Sequence, residues 1–135
     1  MKTTLGHLVF GIDPKNIPFY RDLLNFLGWS VLFETEQIIG ATSGDSSMWF
    51  GQTLKQHAND YDGPGLNHFA IHAENVADVD ATADYLKARG ITLLFDTPRH
   101  HPEFKSDTTD YYQIMFETPD RLLVEVVYTG PLQKS

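Results

Sequence analysis

The chain has 135 residues, a formal net charge of −8 and no cysteine. Its ten Lys and Arg are scattered, which argues against nucleic acid and anionic membrane surfaces as partners, and the missing thiols rule out a disulfide framework or a thiolate metal site. No apolar run approaches the ~18 residues of a membrane span, and the first seven residues lack the apolar core of a signal peptide. With no cysteine the reducing cytoplasm is the natural compartment, and other compartments are also permitted. At 41% hydrophobic and 13% aromatic, the composition suits one packed domain.

In chain order, residues 4–10 read as a strand, broken by Gly11-Ile12-Asp13-Pro14. Asp13 is placed to cap a helix and Pro14 to open it. Ile17, Tyr20, Leu23, Leu24 and Leu27 recur at helical spacing over 15–27, and Gly28 ends the run. Strands are expected at 29–34, 37–42 and 47–50, and residues 51–64 form a connection rich in turn signals. A strand over 66–73 follows, then a helix over 76–89 with Val76, Val79, Ala83 and Leu86 on one face and Gly90 as its stop. Strands are expected at 91–95, 111–117 and 122–128, with a long loop over 96–110 and a frayed tail from Gly130.

The order strand, helix and three strands is thus written twice. His7-Leu8-Val9-Phe10 matches His68-Phe69-Ala70-Ile71, and Gly28-Trp29-Ser30-Val31-Leu32-Phe33 matches Gly90-Ile91-Thr92-Leu93-Leu94-Phe95. Two such modules, about 4–50 and 66–128, each have a sheet with a face to bury.

Three residues stand out for chemistry. His7 shares its strand face with Leu5 and Val9, and His68 its face with Leu66 and Ala70. Glu125 interrupts the apolar run Leu122-Leu123-Val124-Glu125-Val126-Val127. An inward carboxylate there needs a cation or a proton. Two imidazoles and a carboxylate can hold one divalent ion, Fe, Mn, Zn, Ni or Co, with positions left for substrate. The competing explanation is two core histidines and a solvent-facing Glu.

The layout resembles the vicinal oxygen chelate superfamily, which includes glyoxalase I, extradiol dioxygenases, fosfomycin-resistance transferases and bleomycin-resistance proteins. The resemblance runs over residues 4–128. It rests on Leu5-Gly6-His7-Leu8-Val9-Phe10, on Leu66-Asn67-His68-Phe69-Ala70-Ile71, and on the stretch from Asp110-Tyr111-Tyr112 through Thr118-Pro119-Asp120-Arg121 to Glu125. It implies an α+β fold of two βαβββ modules pairing into a cupped mixed sheet, His7, His68 and Glu125 as ligands of one divalent metal, a small-molecule substrate with vicinal oxygens, and a homodimer. Two departures matter. The family turn ends in Gly where this chain has Arg121, a residue less at ease with φ > 0. The strand Ser47-Met48-Trp49-Phe50 carries no carboxylate to serve as the fourth ligand of a glyoxalase I site.

Around that set, His72 is a candidate acid–base group, too far along its strand to share an ion with His68. Tyr111 and Tyr112 alternate, so one faces the site. Tyr112 is the candidate catalytic phenol, and Tyr111, Trp49, Phe33 and His101 are candidate substrate contacts, with Trp29 a further aromatic. His100 and His101 lie in the long loop, a candidate lid. Two functions compete: a metal-dependent lyase, isomerase or dioxygenase, and a non-catalytic small-molecule or drug-binding protein of the bleomycin-resistance kind.

Overall fold

The computed structural model of the protein describes residues 1–133. The chain divides into two compact units, Met1–Ala58 and a second that begins at Asn59. Each is built on one four-stranded mixed sheet.

In the first unit, β1 (His7–Ile12) leads through a short 3-10 helix (Pro14–Asn16) into α1 (Ile17–Phe26). The Asp13 side chain accepts from the Lys15 backbone N–H and Pro14 opens the turn, as the sequence suggests. Then follow β2 (Ser30–Glu34), β3 (Ile38–Ser43) and β4 (Ser46–Gln52). The sheet order is β1-β4-β3-β2, with β1 parallel to β4 and the other pairs antiparallel. One face packs on α1. Phe10, Ile12, Ile39, Ala41, Met48 and Phe50 from the strands meet Ile17, Tyr20, Leu23 and Leu24 from the helix, all buried. The Tyr20 and Phe50 rings stack 4.2 Å apart and Phe50 stacks on Phe10 at 5.1 Å, a geometry that adds to the area they bury.

The second unit repeats this order. Its elements are β5 (Phe69–His72), α2 (Val76–Ala88), β6 (Arg99–His100), β7 (Thr109–Glu117) and β8 (Leu123–Pro131). The sheet order β5-β8-β7-β6 is that of the first sheet, again with one parallel pair, β5 and β8. Asn75 caps α2 by accepting from the Asp78 N–H at 2.7 Å. Val79, Thr82, Ala83 and Leu86 are its buried residues.

Both helices stop by the same device. Gly28 at φ 85° and Gly90 at φ 76° take the left-handed conformation just past the last turn. The Trp29 N–H then reaches back to the Leu24 carbonyl and the Ile91 N–H to the Leu86 carbonyl, 2.9 and 3.0 Å. This is a Schellman ending, and glycine adopts it without a Cβ penalty.

Four expectations are corrected. Residues 91–95 form no strand; Leu93 makes only an isolated bridge to Phe116. Phe95 and Asp96 both have φ near +57°, so the chain turns away from β7 before a ladder can grow. Thr97 fixes that turn: its hydroxyl donates to the Leu94 carbonyl and accepts from the Met115 N–H. The fourth strand is supplied instead by Arg99–His100, inside the stretch expected to be loop. β1 runs on to Ile12 rather than breaking at Gly11. The stretch from Gly130 is also tied down: β8 continues to Pro131, Leu132 N–H donates to the Thr108 carbonyl, and Gln133 accepts from the Val76 N–H. Residues 134 and 135, part of the expected frayed tail, lie outside the described residues.

The turn before β8 survives its missing glycine. Arg121 takes φ 58°, a conformation that disfavours a Cβ. Its N–H donates to the Thr118 carbonyl, its carbonyl accepts from Asn59, and its guanidinium lies 5.8 Å over the Tyr61 ring.

Candidate metal centre

In each sheet the face away from the helix carries the candidate residues. In the first unit, pairing puts His7 beside Ser47 and Val9 beside Trp49. Trp49 stands opposite Gly40, and Gly40 opposite Phe33. A Cβ on Gly40 would lie 2.4 Å from the Trp49 ring, so the indole rests flat on bare backbone. Its Nε1 donates to Ser47 Oγ at 3.0 Å. The Phe33 ring is 6.4 Å from the indole and half exposed.

Trp49 occupies a telling position. It pairs with Val9 in the first sheet, and Glu125 pairs with Ala70 in the second. Val9 and Ala70 are equivalent in the repeat. The indole therefore stands where a duplicated carboxylate would be.

In the second unit the strands converge on Glu125. β8 is flanked on both sides, and Glu125 is only 3% exposed. Such burial is costly for a charge without partners. It has two. His68 Nε2 lies 3.2 Å from Oε2, and the Tyr111 phenol donates to Oε1 at 2.5 Å. His68 itself precedes β5 and is not within it, and its ring is partly exposed, not part of an apolar core.

The orientation of His68 is set from behind. Asn67 Nδ2 donates to the Tyr61 carbonyl at 2.9 Å, which fixes the amide and turns its Oδ1 to His68 Nδ1, 2.7 Å away. An amide oxygen only accepts, so Nδ1 carries the hydrogen. Nε2, with its lone pair free, then faces the Glu125 carboxylate. Two acceptors at that separation need a positive centre between or beside them, a proton or a metal ion. Two ligand atoms about 2.1 Å from one ion and at right angles stand about 3.0 Å apart. The pair offers two ligand atoms at a spacing one ion accepts, and a ligating His that gives its other N–H to a carbonyl is the usual arrangement. Among the described residues no three His, Asp or Glu side chains form a group that could hold an ion. The structure brings together the His68–Glu125 pair. His7 is exposed at the head of β1 in the first unit.

The other candidates separate by face. Tyr111 is on the Glu125 side. Burial, then its hydrogen bond to Glu125, pushes the phenol up to about 12, so near neutral pH it is a proton donor. Tyr112 points the other way and donates to Asp80 of α2 at 2.6 Å. His72 is on the Glu125 face, where its Nε2 contacts Thr129 Oγ1 at 3.1 Å. The His101 ring lies against Phe104 at 4.6 Å and edge-on to Tyr111 at 5.6 Å. Its Nδ1 is buried with no hydrogen-bond partner among the described residues, an omission that costs about 1–3 kcal/mol. His100 is on the opposite face, 2.7 Å from the buried Asp110. Asn67 was missed in the sequence, although an amide beside a candidate ligand histidine is a signal for such a support.

Two βαβββ units, each a mixed four-stranded sheet of the same strand order with a helix on one face, define a class of small-molecule proteins. The sequence model of the Glyoxalase/Bleomycin resistance protein/Dioxygenase superfamily matches residues 13–126, and the chain belongs to that family. A crystal structure of a candidate glyoxalase from Bacillus halodurans is similar at TM-score 0.79 and 26% identity, covering 93% of this chain and 95% of that one. A lactoylglutathione lyase from Agrobacterium tumefaciens shares the fold at TM-score 0.64 and 19% identity, covering 94% of each chain. A glyoxalase/bleomycin resistance protein from Albidiferax ferrireducens does so at TM-score 0.72 and 14% identity, covering 93% of this chain and 98% of that one. The uncharacterized protein YqjT of Bacillus subtilis is 40% identical over 63 residues, 47% of this chain and 46% of that protein. The match thus spans about half the length of that curated relative.

Proposed function

We propose that the chain is a divalent-metal-dependent enzyme acting on a small molecule with two adjacent oxygens. His68, Glu125 and His7 would hold the ion. The observation that carries this is the oriented His68 Nε2 facing Glu125 Oε2 at 3.2 Å. When bound, the ion supplies Lewis acidity to the two neighbouring oxygens of the substrate. The chain's own groups do the rest. Asn67 holds the imidazole in one tautomer. Tyr111 occupies Oε1 of Glu125, which leaves the other oxygen for the ion, and its protonated phenol is the donor nearest the site. The acid–base role considered for Tyr112 therefore passes to Tyr111, and Tyr112 ties α2 to the sheet. His72 stays a candidate for proton transfer at the far end of the same face. Lyase, isomerase and dioxygenase chemistry all fit this set. A homodimer and a cytoplasmic setting complete the proposal, checked by sedimentation and by fractionation.

A second reading is favoured by Trp49. A flat indole fixed on Gly40 beside Phe33 is a platform for a planar ligand, which suits a sequestering protein without catalysis.

Metal analysis separates the two. Untagged protein dialysed against Mn, Fe, Co, Ni or Zn should take up one ion per chain. His68→Ala and Glu125→Gln should each weaken uptake by about 100-fold or more, and His7→Ala tests the third ligand. Metal content unchanged in His68→Ala would sink the site. Tight binding of a planar ligand by metal-free protein would favour sequestration.

A further inference from the structure

The face that carries Glu125 also carries an arginine without a counter-ion. Register places His72, Val127, Gln113 and Arg99 in one row across β5, β8, β7 and β6. Arg99 is half-buried and forms no ion pair among the described residues. This is unusual in a chain with 18 acidic and 10 basic residues. The other arginines are all engaged: Arg21 with Glu34 at 3.1 Å, Arg121 with Glu117 at 3.8 Å, and Arg89 over the Tyr85 ring at 3.6 Å. A cation partly withdrawn from water without an anion is unfavourable; a charge on a short edge strand can serve only to blunt that edge, but here it stands beside a second unpartnered donor. Gln113, beside it, is only 7% exposed, and its carboxamide makes no hydrogen bond among the described residues. Two adjacent donors, one charged, thus face the same side as Glu125 with no side-chain partner among the described residues.

We propose that Arg99 and Gln113 form a carboxylate-binding subsite, and that the substrate carries a carboxylate in addition to its two adjacent oxygens. The guanidinium fork matches a planar carboxylate with two parallel hydrogen bonds, and the Gln113 amide adds a donor at right angles to the strand. Arg99 lies two strands across and two residues along from Glu125, about 12 Å between backbones by strand geometry. A single ring between the oxygens and the carboxylate bridges that distance once the side chains extend toward it. The subsite stands on its own geometry; its link to the substrate rests on the metal proposal above.

The test has two arms. First, metal-free protein is titrated with malonate and followed by NMR at the Arg99 Nε–Hε and Gln113 amide signals. Saturable shifts at these two groups are expected, weakened about tenfold or more in Arg99→Gln and partly kept in Arg99→Lys. No saturable shift, or equal affinity in a folded Arg99→Gln, overturns the subsite. Inorganic phosphate displacing malonate at a lower concentration overturns the carboxylate assignment. Second, Mn(II)-supplemented protein is titrated with catechol and with 3,4-dihydroxybenzoate. The acid should bind about tenfold more tightly, and Arg99→Gln should abolish the preference while leaving catechol affinity unchanged. A ratio near one in the wild type overturns the substrate link. If Mn(II) does not bind at all, the metal proposal fails, and the malonate arm still decides the subsite.

Discussion

The role of His68 is decided by its neighbour in sequence. Asn67 cannot turn its amide without losing the Tyr61 carbonyl, so it fixes which imidazole nitrogen is protonated. An Asn67→Ala variant keeps every proposed ligand yet frees the ring to change tautomer. Its affinity for a divalent ion should fall by about 10- to 100-fold, measured by competition with a chelating dye, while the fold by circular dichroism is unchanged. Equal affinity in the variant would show that the tautomer is not held by Asn67. Glu125 tells the same story from the other side. An acidic residue among five apolar positions needs, if it points inward, a cation or a proton, and the structure sets His68 and Tyr111 against it.

At the level of elements, β7 shows what alternation does and does not reveal. Adjacent Tyr111 and Tyr112 must face opposite ways, but nothing in the letters says which faces Glu125. The answer depends on register with β8, where Met115 is opposite Glu125. Tyr112 goes to α2 instead. Burial and the hydrogen bond to Asp80 push its phenol up to about 12 from 10.0. A group whose proton is held more tightly in the folded state contributes stability below its unfolded value and loses it as pH rises through the folded one. Wild-type stability should therefore decline between pH 10 and 12, and Tyr112→Phe should flatten that decline in denaturant titrations across the range. At neutral pH the same variant should cost about 0.5–1.5 kcal/mol for the lost hydrogen bond. An identical alkaline slope in both proteins would show that Tyr112 does not carry it.

The helices were legible because their signals are local: Asp13 and Pro14 open the 3-10 turn that leads into α1, and Gly28 and Gly90 stop the two helices. The edge of the second sheet was not. Residues 91–95 have the composition of a strand and match the first module, but Phe95 and Asp96 adopt the left-handed conformation that their side chains disfavour. The hydrogen bonds that hold the turn explain why: the Thr97 hydroxyl donates to the Leu94 carbonyl and accepts from the Met115 N–H, and the Leu94 N–H donates to the Met115 carbonyl. Arg99 escaped notice for the same reason. It belongs to a strand of two residues that no pattern can reveal.

Taken whole, the molecule is strongly acidic, and self-repulsion works against the compact state. A divalent ion bound only by the folded chain opposes that. At a hundred times its dissociation constant it should add about 2.7 kcal/mol. For a chain of this size that is a rise in Tm of roughly 8–13 °C, read by calorimetry with and without EDTA. His68→Ala should show no such rise; an equal rise would place the ion elsewhere.

The relay from the Tyr61 carbonyl through Asn67 and His68 to Glu125 has one more effect, on time rather than affinity. A part-exposed imidazole held at one end turns over in picoseconds to nanoseconds. Here the ring is geared to an amide that is itself pinned to backbone. Turning the amide breaks two hydrogen bonds together, whereas turning the ring breaks one of them and the approach to Glu125. A flip that presents the other nitrogen to Asn67 finds an acceptor there only if that nitrogen carries the proton, so exchange of the tautomer, unlike small ring motion, waits on the amide turning off the Tyr61 carbonyl.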